Sequence, residues 1–464
     1  MGSVGISNGV PNGAITGKAN GFSKSKARKF GFDTLQIHAG LEPSPRYGHI
    51  TLPIYNTASF KFAKLDQLNH ALEDISSSSN YLYTRVSNPT SDGLEKRIAA
   101  LEDGVEALAY ASGSAAVHGV IVSLAGPGDN IIVSSGLHGG TYKQFRKAAA
   151  QMGIDSRFCD TNDLKQVKSL IDERTKFIFV ESLANPKLTV ADIEGLAAIA
   201  HAEDVKIPVV VDATLTAAGY WSQPAKFGAD IIIHSASKWI AGHGTTIGGI
   251  VLETGRSDWQ SNRARFPRLY GEDPYLKKLG VGQDNWYEAA GDRGYIQYLK
   301  TEVMRDTGPC ISPYAAQQLF IGVETLSVRC ERMAKNADIV ARWLRAHPRV
   351  AWVGYLGFEN HPHHHLARKY LQRGYGSVIS FGLKGGGAEA QKVIDAFRLI
   401  IMTTNIGDSK TLCSHHWSGV NKHYTQEEND AMGVTEDLVR LSLGIEDAED
   451  IIWDFEQAFE RVKP

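Results

Sequence analysis

From about residue 92 onward, short apolar runs alternate with polar, helix-like stretches. Leu94, Ile98 and Leu101 recur at helical spacing, so they share one face of a helix that Gly104 is expected to stop. Leu108–Ala111, Ile131–Val133, Phe177–Val180, Val209–Val211 and Ile231–Ile233 are then unbroken apolar runs. Runs this short and continuous suit strands covered on both faces, which predicts a mostly parallel sheet flanked by helices. Each run leads into polar residues: Ser112-Gly113-Ser114, then Ser134 to His138, then Glu181, Asp212, and His234 to Lys238. In open α/β sheets, ligands sit beyond the carboxyl ends of the strands. Five polar strand ends therefore point to one shared site, although any one of them could be only a helix N-cap.

Beyond about residue 306 the pattern changes. Ser377–Gly382 and Leu438–Leu443 read as strands, the latter with Val439, Leu441 and Leu443 on one face and Arg440 and Ser442 on the other. Asp447 to Asp450 should cap a last helix carrying Ile451, Phe455 and Phe459. The fold class is thus α/β: a large domain over 92–305 with a mostly parallel sheet, and a smaller α+β C-terminal domain over 306–464. Residues 253–300 are aromatic and charged without clear periodicity and read as a long excursion over the large domain. Residues 1–30, rich in Gly, Ser, Asn and Lys, read as a disordered tail.

Composition narrows the function classes. Lys plus Arg is 49 and Asp plus Glu is 51, a net charge of −2, which provides no field for nucleic acid or anionic lipid. No apolar run approaches the ~20 residues of a membrane helix, and the N-terminal stretch has no apolar signal-peptide segment. Cys159, Cys310, Cys330 and Cys413 lie far apart and read as reduced thiols. The expected location is the cytoplasm.

Lys238 follows a buried strand, between Ser235, Ser237 and the turn residues Gly242 and Gly244. At the wall of an apolar pocket its amine could act as nucleophile and base, and could form a Schiff base with a carbonyl cofactor; alone, it could equally be a surface lysine opening a helix. Asp212 closes a valine strand, where a carboxylate needs a partner such as a pyridinium nitrogen. Ser112-Gly113-Ser114-Ala115-Ala116 is a small-residue turn opening a helix, suited to phosphate. Ser235 and Ser237 offer hydroxyls to the same group. No GxGxxG follows a first strand, and there is no Walker motif or GxSxG elbow.

Asp212-Ala-Thr214 followed by His234-Ser-Ala-Ser-Lys238-Trp-Ile-Ala-Gly-His-Gly244 resembles the active-site stretch of the Cys/Met-metabolism family of pyridoxal 5′-phosphate (PLP) enzymes. Further matches are Pro53-Ile-Tyr55, Tyr83-Thr-Arg85-Val-Ser-Asn88-Pro-Thr90, Ser112 to Ala116, Glu181-Ser-Leu-Ala-Asn185-Pro186, Gly407-Asp408 and Arg440 to Glu446. The excursion at 253–300 and Gly322 to Leu326 are most similar to the O-acetylhomoserine sulfhydrylase branch. The resemblance implies the PLP-dependent fold type I. Lys238 would hold PLP as a Schiff base and then move protons, and Asp212 would pair with the ring nitrogen. Gly113, Ser114, Ser235 and Ser237 would hold the phosphate, with Thr214 also at the cofactor and Asn185 near its phenolic oxygen. Tyr83 and Arg85, on an N-terminal arm over 31–91, would reach the phosphate of a neighbouring subunit, in a homo-oligomer that is a dimer of catalytic dimers. Lys238, His138 and Tyr83 are the catalytic candidates. Arg440, as a bidentate fork on the α-carboxylate, with Asn405 and Tyr55, would bind substrate. No metal is expected.

The chain departs from the family pattern in places. Leu137-His138-Gly139 replaces the usual Leu-Tyr-Gly, and a histidine there can stack while titrating near neutrality. His415 to Asn421 replaces His-Pro-Ala-Ser-Thr-Thr-His near the family's substrate entrance, and Ala213 stands where Asn is common. Gly140 replaces the cysteine of methionine γ-lyase, and Thr404 ahead of Asn405 replaces the glutamate of cystathionine-cleaving enzymes, so a synthase is expected. The expected reaction is γ-replacement on an O-activated homoserine, O-acetyl-L-homoserine foremost, by a carbon or amine nucleophile, as in fungal relatives that serve alkaloid assembly; the alternative is a sulfhydrylase making homocysteine from sulfide. A catalytically silent scaffold has no use for Lys238, Asp212 and Arg440 together, and a nicotinamide enzyme lacks its fingerprint. His361, His363, His364 and His365 read as a polar loop, Trp352, Tyr355 and Phe358 as packing residues, and Cys413 as a buried thiol.

Overall fold

A computed structural model describes residues 29–42, 47–73, 81–256, 258–279 and 283–462. Residues from Phe32 onward form one compact unit; the expected disordered tail lies outside the described residues up to 28. The sheet-forming runs become β1 (Glu106–Tyr110), β2 (Asn130–Ser134), β3 (Asp155–Cys159), β4 (Thr175–Glu181), β5 (Val209–Asp212), β6 (Ile231–Ser235) and β7 (Gly249–Glu253). They form one sheet in the order β1-β7-β6-β5-β4-β2-β3. The pairs among β6, β5, β4, β2 and β3 are parallel, while β7 runs antiparallel between β1 and β6.

Both faces of the central strands β4, β5 and β6 are covered, which is why their runs are apolar. Successive side chains point to opposite faces. Phe177, Phe179, Val210, Ile231 and Ile233 therefore enter one core with Val117 and Val120 of the helix Gly113–Leu124. Ile178, Val180, Val209, Val211 and Ile232 enter the other, with Leu94, Ile98 and Leu101 of the helix Pro89–Glu102. That helix ends one residue earlier than the expected glycine: Asp103 takes the left-handed conformation (φ +57°). The excursion after β7 is a series of short helices and turns whose Trp259, Phe266, Trp286 and Tyr295 pack into the first core.

The C-terminal part carries β8 (Val350–Gly354), β9 (Val378–Leu383), β10 (Ile401–Met402), β11 (Leu412–His415) and β12 (Leu438–Ser442), in the order β10-β11-β12-β9-β8. Val439, Leu441, Phe381 and Ile379 face a third core with Ile451, Phe455 and Phe459 of the last helix, Ala448–Arg461. Asp447 sits at that helix's N-cap but makes no capping bond; its carboxylate takes Arg332 instead, at 2.6 Å. Arg440 and Ser442 turn to the opposite face, which is also buried. Ser380 on that face donates to the Pro186 carbonyl at 2.6 Å, binding the small sheet to the loop after β4.

Candidate active site

The carboxyl ends of the central strands open onto a cleft of about 760 Å³. β5 ends in Asp212, whose Oδ1 accepts from the Thr214 backbone N–H at 3.0 Å and from the Thr214 hydroxyl at 2.6 Å. The same hydroxyl accepts from the Ser235 N–H at 2.7 Å, so Thr214 ties together the ends of β5 and β6. Burial raises the Asp212 carboxyl above its ordinary range, against the pull of the Thr214 bonds and of His234.

Ser112 is an N-cap, its Oγ accepting from the Ala115 N–H at 3.1 Å. Gly113 lies so close to β6 that a Cβ there would stand 2.8 Å from Ser235 Cα. Only glycine brings the start of the helix Gly113–Leu124 this near the Ser235 hydroxyl. Ser237 accepts from the Gly248 N–H at 3.1 Å on the same side of the cleft. Backbone N–H groups, a positive helix end and two hydroxyls make an anion site.

Lys238 follows β6 and donates to Asn405 Oδ1 at 2.7 Å. Burial, with the Arg440 charge nearby, pulls its ammonium down to about 8. The turn that carries it is propped from behind by Arg329, which donates to the carbonyls of Trp239 (2.9 Å) and Gly322 (2.6 Å). Gly242, at φ +70°, leaves room for that guanidinium; a Cβ would sit 2.0 Å from its Nη1.

His138 starts the short helix Gly139–Lys143, and its Nδ1 accepts from the Gly140 N–H at 3.2 Å. The hydrogen of the neutral ring is therefore on Nε2. The ring is open to the cleft, yet deep enough that loss of solvent, with Lys238 and Arg440 adding repulsion, pushes its pKa down to about 4. The expectation of titration near neutrality is corrected: two cations and burial keep this imidazole neutral. Arg440 lies in the wall behind Asn405, donating from Nη2 to the Asn405 carbonyl at 2.9 Å, with Nε buried and unpartnered. Burial lowers it to about 10, and no carboxylate of the described residues compensates it. His416, also in this wall, is held neutral by burial beside Arg440 and His138.

The cleft gathers Gly113, Ser114, His138, Asn185, Asp212, Thr214, Ser235, Ser237, Lys238 and Asn405. His234 does not join them: it faces the other side of the sheet and bonds Glu102 at 2.7 Å. Tyr83 and Tyr55 are exposed and, like Arg85, lie outside this chain's own cleft. The Arg85 guanidinium donates to the Arg305 carbonyl. Thr245, Thr246 and Ile247 line the mouth of the cleft and were not singled out from the sequence; the glycines at 242 and 244, which turn the chain back toward the site, were the available signal. Cys413 is buried in β11 and its thiol is pushed up to about 12. His361 accepts from the His363 N–H and His364 bonds the Leu356 carbonyl.

A ring bearing a phosphate, a carbonyl and a basic nitrogen suits this donor set. The anion site, the lysine with a lowered pKa and the buried acid lie in one cleft, and Asn185 Oδ1 is buried without a partner, as is Arg440 Nε. The Cys/Met metabolism PLP-dependent enzyme profile matches residues 33–460. The chain belongs to that family.

Among curated members of the Cys/Met metabolism PLP-dependent family, Sulfhydrylase FUB7 of Fusarium oxysporum f. sp. lycopersici is 44% identical over 431 residues, covering 93% of this chain and 97% of the relative. Homocysteine synthase of Schizosaccharomyces pombe is 42% identical, covering 92% and 98%. The crystal structure of metY from Campylobacter jejuni subsp. jejuni, which carries N′-pyridoxyl-lysine-5′-monophosphate, matches with a TM-score of 0.86 at 34% identity, covering 93% of this chain and 100% of that one. The fold is accordingly the PLP-dependent fold type I, and the protein is a PLP-dependent enzyme of the γ-replacement, synthase type. No helix of the described residues is long and apolar enough to cross a membrane.

Proposed function

We propose that the enzyme replaces the γ-substituent of an O-activated L-homoserine, O-acetyl-L-homoserine foremost, with a carbon or amine nucleophile, building an amino-acid precursor for secondary, alkaloid-type metabolism. The observation that carries this reading is the neutral His138 beside Arg440. With Nδ1 engaged by Gly140, its Nε2–H is a donor at the cleft. Such a donor suits a nucleophile that bears a carbonyl or carboxylate oxygen, and hydrosulfide has none. The rewritten loop from His415 to Asn421 supports the same reading.

Bound PLP supplies an electron sink that eases loss of a proton from the carbon bearing the amino group. Asp212, fixed by Thr214, binds the ring nitrogen, and Asn185 binds the phenolic oxygen. Gly113, Ser114, Ser235 and Ser237 bind the phosphate. Arg440 binds the substrate α-carboxylate, which supplies the counter-charge that it lacks in the wall. Lys238 would hold the cofactor and, once freed from it, carry protons on Nζ: away from Cα and then Cβ as the acyloxy group leaves Cγ as a carboxylate, and back to them once the nucleophile, having lost its own proton, has bonded at Cγ. Its lowered pKa suits both directions of transfer. Tyr83 and Arg85, exposed on the 31–91 segment, complete the phosphate site of a second copy in a homo-oligomer, a dimer of catalytic dimers. The compartment assigned to this reaction is the cytoplasm.

The alternative is O-acetylhomoserine sulfhydrylase activity giving homocysteine, and the names of the curated relatives favour it. Incubating the enzyme with O-acetylhomoserine and sulfide, 3-oxo acids or amines, and weighing the products by mass spectrometry, separates the two. Carbon- or nitrogen-linked products formed faster than homocysteine are expected; homocysteine alone would replace this proposal with the alternative.

A further inference from the structure

The chemistry above leaves one buried acid of the cleft without a task. Glu181 ends β4, is 7% exposed, and stands in register with Asp212 on the adjacent strand. Both carboxyls line the cleft. Glu181 Oε1 accepts from the His138 backbone N–H at 2.7 Å, while Oε2 is buried with no partner. Behind it lies a polar cavity of about 280 Å³, where Cys159, Asp160, Lys187 and His363 are the titratable neighbours. Lys238 and Arg440 lie on the His138 side.

A second carboxylate beside Asp212 would be buried without a counter-charge, because a ring nitrogen brings one positive charge for two acids. Burial first, and then the Asp212 charge, push the Glu181 carboxyl well above its ordinary range, against the pull of the His138 and Asn185 N–H groups. We propose that Glu181 is a positioning residue that works as a neutral acid: its Oε1 holds the His138 main chain, and through it the His138 ring, against the pocket in which Asp212 carries the negative charge. The acid fixes the ring without placing a second charge beside the cofactor nitrogen.

The test uses full-length Glu181→Gln and Glu181→Ala proteins loaded with PLP. The amide keeps the acceptor for His138 and cannot ionise. The Gln variant is expected to retain the wild-type PLP affinity, the same induced circular dichroism of the bound cofactor, and the same pH midpoint of its Schiff-base absorbance. The Ala variant is expected to bind PLP about tenfold more weakly, as one lost hydrogen bond to a buried group implies, and to show altered induced dichroism. If the Ala chain does not fold, Glu181→Met, of similar length without oxygens, takes its place. A midpoint displaced by about one pH unit in the Gln variant would show that Glu181 is charged. An Ala or Met variant with unaltered dichroism and affinity would show that Glu181 does not position His138. Either result overturns the proposal, and neither depends on which nucleophile the enzyme uses.

Discussion

Lys238 Nζ donates to Asn405 Oδ1 at 2.7 Å, and the carbonyl of the same Asn405 accepts from Arg440 Nη2 at 2.9 Å. One residue of the loop between β10 and β11 thus holds both the amine that follows the large sheet and the guanidinium that projects from the small one. The two cations lie close enough for Arg440 to lower the Lys238 pKa.

The amine reacts with the PLP aldehyde only when neutral. With a pKa of about 8, the rate at which the apoprotein takes up PLP should rise with pH, reach half its maximum near that value and level off above it. Replacing Arg440 with Gln removes a repelling charge, so the midpoint should move up. Asn405→Ala removes an acceptor that favours the ammonium, so the midpoint should move down. Stopped-flow absorbance of reconstitution across pH reads all three.

Lys238→Ala should lower kcat by at least about a thousandfold, since it removes both the covalent anchor and the proton carrier. The phosphate site is untouched, so the variant should still bind PLP, which equilibrium dialysis measures. Normal turnover would remove Lys238 from the mechanism.

Arg440→Lys keeps a charge but loses the planar fork. It should raise KM for the amino-acid substrate by roughly tenfold to a hundredfold while changing kcat less. Steady-state kinetics with the nucleophile saturating separates the two constants, and an unchanged KM would take Arg440 out of carboxylate binding.

His138 is neutral throughout the physiological range because its pKa is near 4. The rate should therefore show no His138 step between about pH 5 and 7, where an unperturbed histidine would titrate. His138→Tyr should keep PLP and shift preference toward sulfide, read as the ratio of products in a mixed-nucleophile assay.

Gly242→Ala places a methyl group against Arg329 at a positive φ. Strain and displacement together should destabilise the protein by roughly 1–3 kcal/mol. Thermal unfolding measures the loss, and PLP retention should fall with it because the same turn carries Lys238.

The central strands were legible because burial on both faces writes itself as unbroken apolar runs: Phe177–Val180 and Val209–Val211 each lie inside a strand. β3 escaped notice because Asp155-Ser-Arg-Phe-Cys is an edge strand with one paired side, and its composition is polar. β7 was missed because it enters antiparallel from a glycine-rich turn, a path that βαβ reasoning does not anticipate. The alternation in β12 correctly placed Arg440 away from the core of Val439 and Leu441. At the site, residue types beyond strand ends announced Lys238 and Asp212, whereas the turning away of His234 toward Glu102 depends on a partner 132 residues earlier in the chain. The pKa of His138 was equally hidden, since Lys238 and Arg440 approach it only after both sheets have packed.

Borohydride reduction of the PLP-loaded enzyme, followed by proteolysis and mass mapping, tests most directly whether the cofactor is bound where the cleft places it. A pyridoxyl group on Lys238, with no other lysine labelled, is the predicted result. A label on a different lysine, or none, would contradict the assignment of this cleft as the catalytic centre.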